Sequence, residues 1–173
     1  MQQTESSFCK KNVSYKVSGF RFQVSSSKSL FTVNMKKIIT KSPEETIRLG
    51  ESIGKKLKGS ETICLVGELG SGKTQFVKGV ALGLGIKENI TSPSFVIVKI
   101  YNGKVNLIHI DFYRLEGKSE LDTIGFDDFF SPSNIVVIEW ADRFKDVYPD
   151  SAIWINIKYI DETTREFRIN SSI

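Results

Sequence analysis

Residues 67–74 read Gly-Glu-Leu-Gly-Ser-Gly-Lys-Thr, between an apolar run at 62–66 and a segment with helical character from Lys73 to about Leu84. The spacing Gly-x4-Gly-Lys-Thr is that of a phosphate-binding loop (P-loop). Its glycines let the backbone curl so that N–H groups converge on phosphate oxygens, and the N-terminus of the following helix adds positive partial charge. A glycine-rich turn that binds nothing is the alternative, but the flanking strand and helix favour nucleotide binding.

The loop residues have separate expected roles. Lys73 is expected to reach the β- and γ-phosphates, and the hydroxyl of Thr74 is expected to bind Mg²⁺. The predicted nucleotide-binding set comprises Gly67, Glu68, Leu69, Gly70, Ser71, Gly72, Lys73 and Thr74.

Two other predicted strands end in an acid. Asp111 follows Ile108-His109-Ile110, and Glu139 follows Val136-Val137-Ile138. A P-loop site requires an acid at the tip of a neighbouring strand to organise the metal and the attacking water. We therefore predict that Asp111, Glu139 and Lys73 are catalytic and that Thr74, Glu139 and Asp111 bind the metal. Which acid orients the water is left open, and either acid alone could simply end a strand.

A proline-containing segment follows the P-loop helix at 91–94. Its hydroxyl residues Thr91, Ser92 and Ser94 lie where switch-like loops contact the γ-phosphate or the metal. An ordinary proline turn is the alternative. The only histidine, His109, cannot form a multi-histidine metal site, and its place on a strand favours an ordinary core residue.

The order of apolar runs predicts the fold class. Apolar strands alternate with helices in the first half of residues 35–173, with a helix starting at Ser42-Pro43-Glu44-Glu45 and stopping near Gly59. Strand-like runs at 95–101 and 105–110 flank the turn Asn102-Gly103, which predicts a β-hairpin. A second hairpin is predicted at 153–169. Together they predict a P-loop NTPase-like three-layer α/β/α domain with a mixed, mostly parallel sheet and β-hairpins.

Composition is that of a soluble globular chain of 173 residues, with 40% hydrophobic and 25% charged residues. No apolar stretch approaches the roughly 18 residues of a membrane span. Cys64 lies in an apolar run and is predicted to be a core residue. The net charge of +4 comes wholly from residues 1–34, which hold five of the 24 basic and one of the 20 acidic residues. The remaining domain is neutral, which does not favour an autonomous nucleic-acid binder.

Residues 1–34 form a basic, serine-rich N-terminal extension. An organellar transit peptide, a disordered or strand-forming extension, and a segment upstream of a true start at Met35 all fit this composition. We favour the last, because an organised domain pattern begins directly after Met35.

A GTPase is less well supported than an ATPase. Residues 122–125 read Asp-Thr-Ile-Gly and imitate a GTPase switch, but the residues before them look helical and no Asn-Lys-x-Asp motif is present. ATP is therefore the expected nucleotide.

The sequence resembles the TsaE (YjeE) family, the P-loop ATPases of bacterial tRNA threonylcarbamoyladenosine (t6A) biosynthesis. The resemblance covers roughly residues 35–170. Its motifs follow the P-loop in order: Thr-Ser-Pro-Ser-Phe (91–95), His-Ile-Asp-Phe-Tyr-Arg-Leu (109–115), Ile-Gly-Phe-Asp-Asp-Phe-Phe (124–130) and Ile-Glu-Trp-Ala-Asp-Arg (138–143). The family's Ser-Pro-Thr is here Ser92-Pro93-Ser94, which keeps the hydroxyl.

The resemblance implies a cytoplasmic Mg²⁺-dependent ATPase that acts with TsaB and TsaD and meets tRNA only through that complex. It implies that Thr74 and Glu139 hold Mg²⁺, that Asp111 acts at the nucleotide and its water, and that Trp140 packs near the site. Ser42 and Arg165 are the candidates for contacts with the nucleotide base. A small-molecule kinase and a non-catalytic nucleotide-binding scaffold remain as alternatives.

Overall fold

The computed structural model of the chain describes residues 14–17, 20–23 and 35–170. Strands β1 (Ser14–Val17) and β2 (Phe20–Gln23) pair antiparallel as a two-stranded sheet. The other positions of the N-terminal extension, Cys9 among them, lie outside the described residues, and the start at Met35 stays a prediction.

Residues 35–170 belong to one compact unit, separate from β1 and β2. Its elements, in chain order, are β3 (Lys36–Thr40), α1 (Pro43–Gly54), β4 (Thr62–Val66), α2 (Lys73–Gly83), β5 (Val98–Tyr101), β6 (Asn106–Asp111), α3 (Ser119–Thr123), β7 (Asn134–Glu139), β8 (Ile153–Tyr159) and β9 (Arg165–Ile169). Short 3₁₀ turns at Phe126–Phe129 and Ala141–Arg143 complete the described part of the unit.

The seven strands form one mixed sheet in the order β3-β9-β8-β4-β7-β6-β5. The four central strands β8, β4, β7 and β6 run parallel, and antiparallel strands extend the sheet on both sides. Since parallel strands present their carboxyl ends at the same edge, the residues that follow β4, β6 and β7 meet there. The predicted α/β fold with a mixed sheet and hairpins is confirmed.

Each face of the sheet carries its own apolar layer. Helices α1 and α2 cover one face, where Phe76, Val77 and Val80 of α2 pack against strand residues such as Leu65 and Val137. The opposite face is covered by α3, the 3₁₀ turns and aromatic side chains of the connecting loops. Cys64 belongs to this second layer and is fully buried, as predicted. Burial raises the pKa of its thiol to about 12, so it remains protonated at neutral pH.

Helix α1 begins at the predicted N-cap but ends earlier than predicted. Ser42 is extended, and its hydroxyl accepts the backbone N–H of Glu45 at 3.2 Å. The predicted end near Gly59 is wrong, because the helix stops at Gly54. The carboxylate of Glu61 accepts the N–H groups of Lys58 (2.9 Å) and Gly59 (2.8 Å), which holds this segment in a turn.

The strand predicted from Phe95 also starts later, at Val98. The carbonyl of Pro93 accepts the N–H groups of Val96 (2.8 Å) and Ile97 (2.7 Å), and this turn precedes the strand. Ile97 lies in the left-handed region with φ of 65°. Phe95 is 84% exposed, so its apolar side chain does not mark a buried strand.

Glycines allow α1 and α2 to approach backbone to backbone. A Cβ added at Gly50 would collide with the carbonyl of Phe76, and one at Gly79 would collide with the carbonyl of Ile47 and lie 2.9 Å from the Cα of Gly50. The contacts pair Gly50 with Phe76 and Gly54 with Val80, so the two helices run in the same direction with their N-termini at the same end. Ser42 and the P-loop accordingly line one cavity.

Gly79→Ala is expected to lower the unfolding free energy by about 1–2 kcal/mol, since overpacking against rigid backbone outweighs the gain in helix propensity. Urea unfolding followed by circular dichroism measures this change. Gly117→Ala is the matched control, because a Cβ there meets only the Ser119 hydroxyl at 3.7 Å. An unchanged midpoint for Gly79→Ala would contradict the close helix contact.

Candidate functional site

The loop between β4 and α2 leaves the N-terminus of α2 without a side-chain cap. Gly72 is the N-cap residue, with φ of 97°, and no side chain hydrogen-bonds to the amides of the first turn there. Gly70 also has a positive φ, of 76°, which favours glycine. Amides of a first helical turn that lack a cap are satisfied by water or by a ligand, and phosphate oxygens suit them.

The ammonium of Lys73 is held inside this loop. Its Nζ donates to the carbonyl oxygens of Gly67 (2.7 Å) and Glu68 (3.0 Å) and lies 3.9 Å from the ring centroid of Trp140. Burial lowers the pKa of Lys73, and the nearby carboxylates of Glu139 and Asp111 oppose that shift. A desolvated cation on a loop of this shape is suited to binding an anion.

Both predicted acids stand at the carboxyl ends of neighbouring parallel strands. Asp111 and Glu139 are register partners across β6 and β7, and both are buried. The hydroxyl of Thr74, on the first turn of α2, donates to Oε1 of Glu139 at 2.9 Å. The structure therefore brings Thr74, Glu139, Asp111 and Lys73 together beside the P-loop.

His109 also reaches this cluster, which the sequence reasoning did not predict. It is fully buried, as a core residue would be, but its Nε2 lies 2.9 Å from Oε1 of Glu139. The available signal was its position two residues before Asp111, because side chains at i and i+2 of a strand lie on the same face.

The carboxylate of Asp111 connects to the segment at 91–94. Its Oδ2 accepts the hydroxyls of Ser92 (3.0 Å) and Ser94, and its Oδ1 accepts the N–H of Tyr113 at 2.8 Å. Ser92 and Ser94 are thus in direct contact with a predicted catalytic acid. Thr91 makes no hydrogen bond to Asp111, and its hydroxyl instead accepts one from the ammonium of Lys99.

A cavity of about 460 Å³ opens at this edge of the sheet. That volume lies within the usual range of small-ligand sites. Its walls come from the P-loop, α1, the loops after β6 and β7, and the β8–β9 turn. From the predicted set it is lined by Ser42, Leu69, Gly70, Gly72, Lys73, Thr74, Ser92, Ser94, Asp111, Glu139 and Arg165. Gly67, Glu68, Ser71 and Thr91 are not among its lining residues.

Arg165 ties the β8–β9 turn to the P-loop. Its Nη2 donates to the carbonyl of Gly70 at 3.1 Å, and its guanidinium lies 4.4 Å from the ring centroid of Tyr159. Glu162 and Thr163 of the same turn line the cavity together with Ser42. Both candidates for base contact, Ser42 and Arg165, therefore border one cavity with the phosphate loop.

The GTPase-like Asp-Thr-Ile-Gly segment lies elsewhere. Asp122 belongs to α3 and lines a different cavity of about 720 Å³, together with Lys118 and Tyr148. This segment does not line the P-loop cavity. Within the described residues, no helix is both long and apolar enough to cross a membrane.

Comparisons with known proteins place this site in context. The family model described as "Threonylcarbamoyl adenosine biosynthesis protein TsaE" matches residues 40–167. The chain is 40% identical over 138 residues to the tRNA threonylcarbamoyladenosine biosynthesis protein TsaE of Aquifex aeolicus, covering 78% of this chain and 96% of that protein. It is 36% identical to the Treponema pallidum protein of the same name, over 76% of this chain and 97% of that protein.

The chain is also similar to solved structures. The crystal structure of Bacillus subtilis YdiB superposes with a TM-score of 0.67 at 33% sequence identity, covering 79% of this chain and 84% of that one. This likeness supports the P-loop NTPase-like fold.

Proposed function

Because this chain belongs to the TsaE family, we propose that it hydrolyses ATP with Mg²⁺ in support of the complex that attaches threonylcarbamoyl to the adenosine beside the anticodon of tRNA. The single observation that carries the hydrolytic part is the contact of the Thr74 hydroxyl with the Glu139 carboxylate, next to Lys73. A P-loop used only for binding would not require a strand-end acid beside its hydroxyl.

The residues present suit Mg²⁺. Thr74, Glu139 and Asp111 offer hydroxyl and carboxylate oxygens, the ligands that Mg²⁺ prefers. Among residues 35–170 no group of three His, Cys, Asp or Glu side chains could hold a metal by itself. This pattern fits Mg²⁺, which is usually held by one or two carboxylates plus substrate phosphates. When bound, the ion would neutralise the charge that develops on the transferred phosphoryl group.

The protein groups would then position the reactants. The amides at the start of α2 and the ammonium of Lys73 would bind the β- and γ-phosphates. Asp111 or Glu139 would orient the water that attacks the γ-phosphate. Asp111 holds the hydroxyls of Ser92 and Ser94, so this acid and the 91–94 segment would respond together to the γ-phosphate.

ATP is the proposed nucleotide, because an Asn-Lys-x-Asp guanine-recognition motif is absent from the sequence. Ser42 and Arg165 border the phosphate loop and are the proposed contacts with the base. The neutral charge of residues 35–173 supports tRNA contact through partners. TsaB and TsaD are the proposed partners, and the cytoplasm is the proposed site of action.

A small-molecule kinase and a non-catalytic scaffold are the competing functions. A kinase would transfer phosphate to a metabolite, and a scaffold would bind ATP without releasing phosphate. The contact between Thr74 and Glu139 disfavours a scaffold, because it prepares the hydroxyl and the acid for a shared metal.

Phosphate release with and without TsaB and TsaD tests the proposal. We expect ATP hydrolysis that requires Mg²⁺, rises when both partners are added and is slower with GTP. Binding without phosphate release under any of these conditions would favour a scaffold. Phosphate found on an added metabolite instead of water would favour a kinase.

A further inference from the structure

We infer that His109 is a positioning residue for the metal-binding site: it donates a hydrogen bond to Glu139 and fixes the carboxylate in the orientation that binds Mg²⁺. The inference rests on the proposed function, since it assigns a role in the binding of Mg²⁺–ATP. His109 is not among the residues that line the P-loop cavity, so it would act only through Glu139.

Two donors converge on one oxygen of Glu139. Nε2 of His109 and the hydroxyl of Thr74 each lie 2.9 Å from Oε1. These donors come from different elements, β6 and α2, and approach the end of β7 from the face that α2 covers. The side-chain hydrogen bonds of Glu139 within residues 35–170 all fall on Oε1, and Oε2 remains for the cavity that Glu139 lines.

The chemistry of the pair sets the direction of the hydrogen bond. An ionised carboxylate only accepts hydrogen bonds, so Nε2 of His109 must carry the proton. Nδ1 is buried and has no hydrogen-bond partner among the described residues. The tautomer with its N–H on Nε2 satisfies this donor and leaves only the lone pair of Nδ1 without a partner among the described residues. A flipped ring would direct a C–H group at the carboxylate and lose this hydrogen bond.

Metal binding would affect the hydrogen bond from His109 to Glu139 differently from the one that Thr74 donates. Thr74 would help to hold Mg²⁺ through a lone pair of its hydroxyl oxygen, so the hydroxyl would have to suit the ion, and its hydrogen bond to Oε1 would depend on that orientation. The imidazole of His109 would keep its hydrogen bond through this change, because it lies beneath the carboxylate and away from the cavity. Outer partners of this type typically change metal affinity by about 10–100-fold when they are removed.

The test compares nucleotide affinity with and without metal, which separates this role from general packing. A fluorescent ATP analogue is titrated against the full chain in excess Mg²⁺ and again in EDTA. For His109→Leu, which keeps an apolar core but removes the donor, we expect the Mg²⁺-dependent gain in affinity to fall by about 10-fold or more. Affinity in EDTA should stay within about 3-fold of wild type, because the P-loop and Lys73 are untouched.

His109→Gln is the rescue variant, since its amide can donate from nearly the position of Nε2, and it should recover most of the Mg²⁺-dependent gain. Val137→Ala is the packing control: Val137 is the buried register partner of His109 on β7 and lies on the same face. It should lower stability and leave the Mg²⁺-dependent gain unchanged. If His109→Leu does not fold, His109→Asn replaces it, because the shorter amide does not reach Glu139.

Three results would overturn the inference. The first is an unchanged Mg²⁺-dependent gain in affinity for His109→Leu (or for His109→Asn in its place). The second is an equal loss of ATP affinity in Mg²⁺ and in EDTA for that variant, and the third is a loss in His109→Gln as large as in His109→Leu. A wild-type chain whose ATP affinity did not respond to Mg²⁺ would instead overturn the proposed function. The two failures are therefore distinguishable.

Discussion

Replacing Lys73 with alanine should reduce ATP turnover by about 100–1,000-fold, a change of roughly 2.7–4 kcal/mol in the barrier, because a preorganised charge at the phosphates is lost. The ammonium is already placed by the carbonyls of Gly67 and Glu68 and by Trp140, so it has little reorganisation to undergo when phosphates bind. Phosphate release at saturating ATP and titration of a fluorescent ATP analogue measure turnover and affinity separately.

Lys87→Ala is the matched control for this variant. Lys87 is exposed and is not among the residues that line the P-loop cavity, so removing it changes the net charge equally without altering the site. Turnover of Lys87→Ala should equal that of wild type. A Lys73→Ala protein that is folded by circular dichroism and turns over ATP at the wild-type rate would refute the role assigned to the loop.

Replacing Glu139 with glutamine should also lower turnover by about 100–1,000-fold, and it should weaken the dependence on Mg²⁺. Glutamine keeps the shape of the side chain, but it removes the negative charge that would face the ion. Binding of ATP in EDTA should persist, since the P-loop is intact. A titration of turnover against Mg²⁺ measures both effects.

Two further variants accompany Glu139→Gln. Glu88→Gln, at an exposed position outside the cavity, is the charge-matched control and should behave as wild type. Asp111→Asn addresses which acid orients the water: if Asp111 does, this variant should retain Mg²⁺-dependent binding and lose turnover. Wild-type turnover in Glu139→Gln would contradict the assignment of Glu139.

The elements that build the site follow from local sequence signals. Gly72 and Lys73 predict the turn and the start of α2, and Ser42 predicts the start of α1 because its side chain can cap the helix. Asp111 and Glu139 were recognisable because an acid ending an apolar run is unusual. Their closeness to each other could also be predicted, because the carboxyl ends of parallel strands lie at the same edge of the sheet.

What could not be predicted depends on contacts between distant elements. Nothing local distinguishes Gly50 or Gly79 from other helical glycines until the helices are paired. The role of His109 likewise depends on the register of β6 against β7, which composition and periodicity do not supply. The late start of β5 reflects the Pro93 carbonyl, whose two hydrogen bonds outweigh the strand propensity of Phe95 and Val96.

The central claim is that ATP hydrolysis by this chain sustains threonylcarbamoyl transfer to tRNA. Its most direct measurement is the amount of t6A formed per TsaB–TsaD complex, determined by mass spectrometry of digested tRNA in a reaction supplied with threonylcarbamoyl donor, ATP and Mg²⁺. With the wild-type chain, product should exceed one t6A per complex, and with Lys73→Ala it should not. Equal product with the wild-type chain, with Lys73→Ala and with no added chain would contradict the claim.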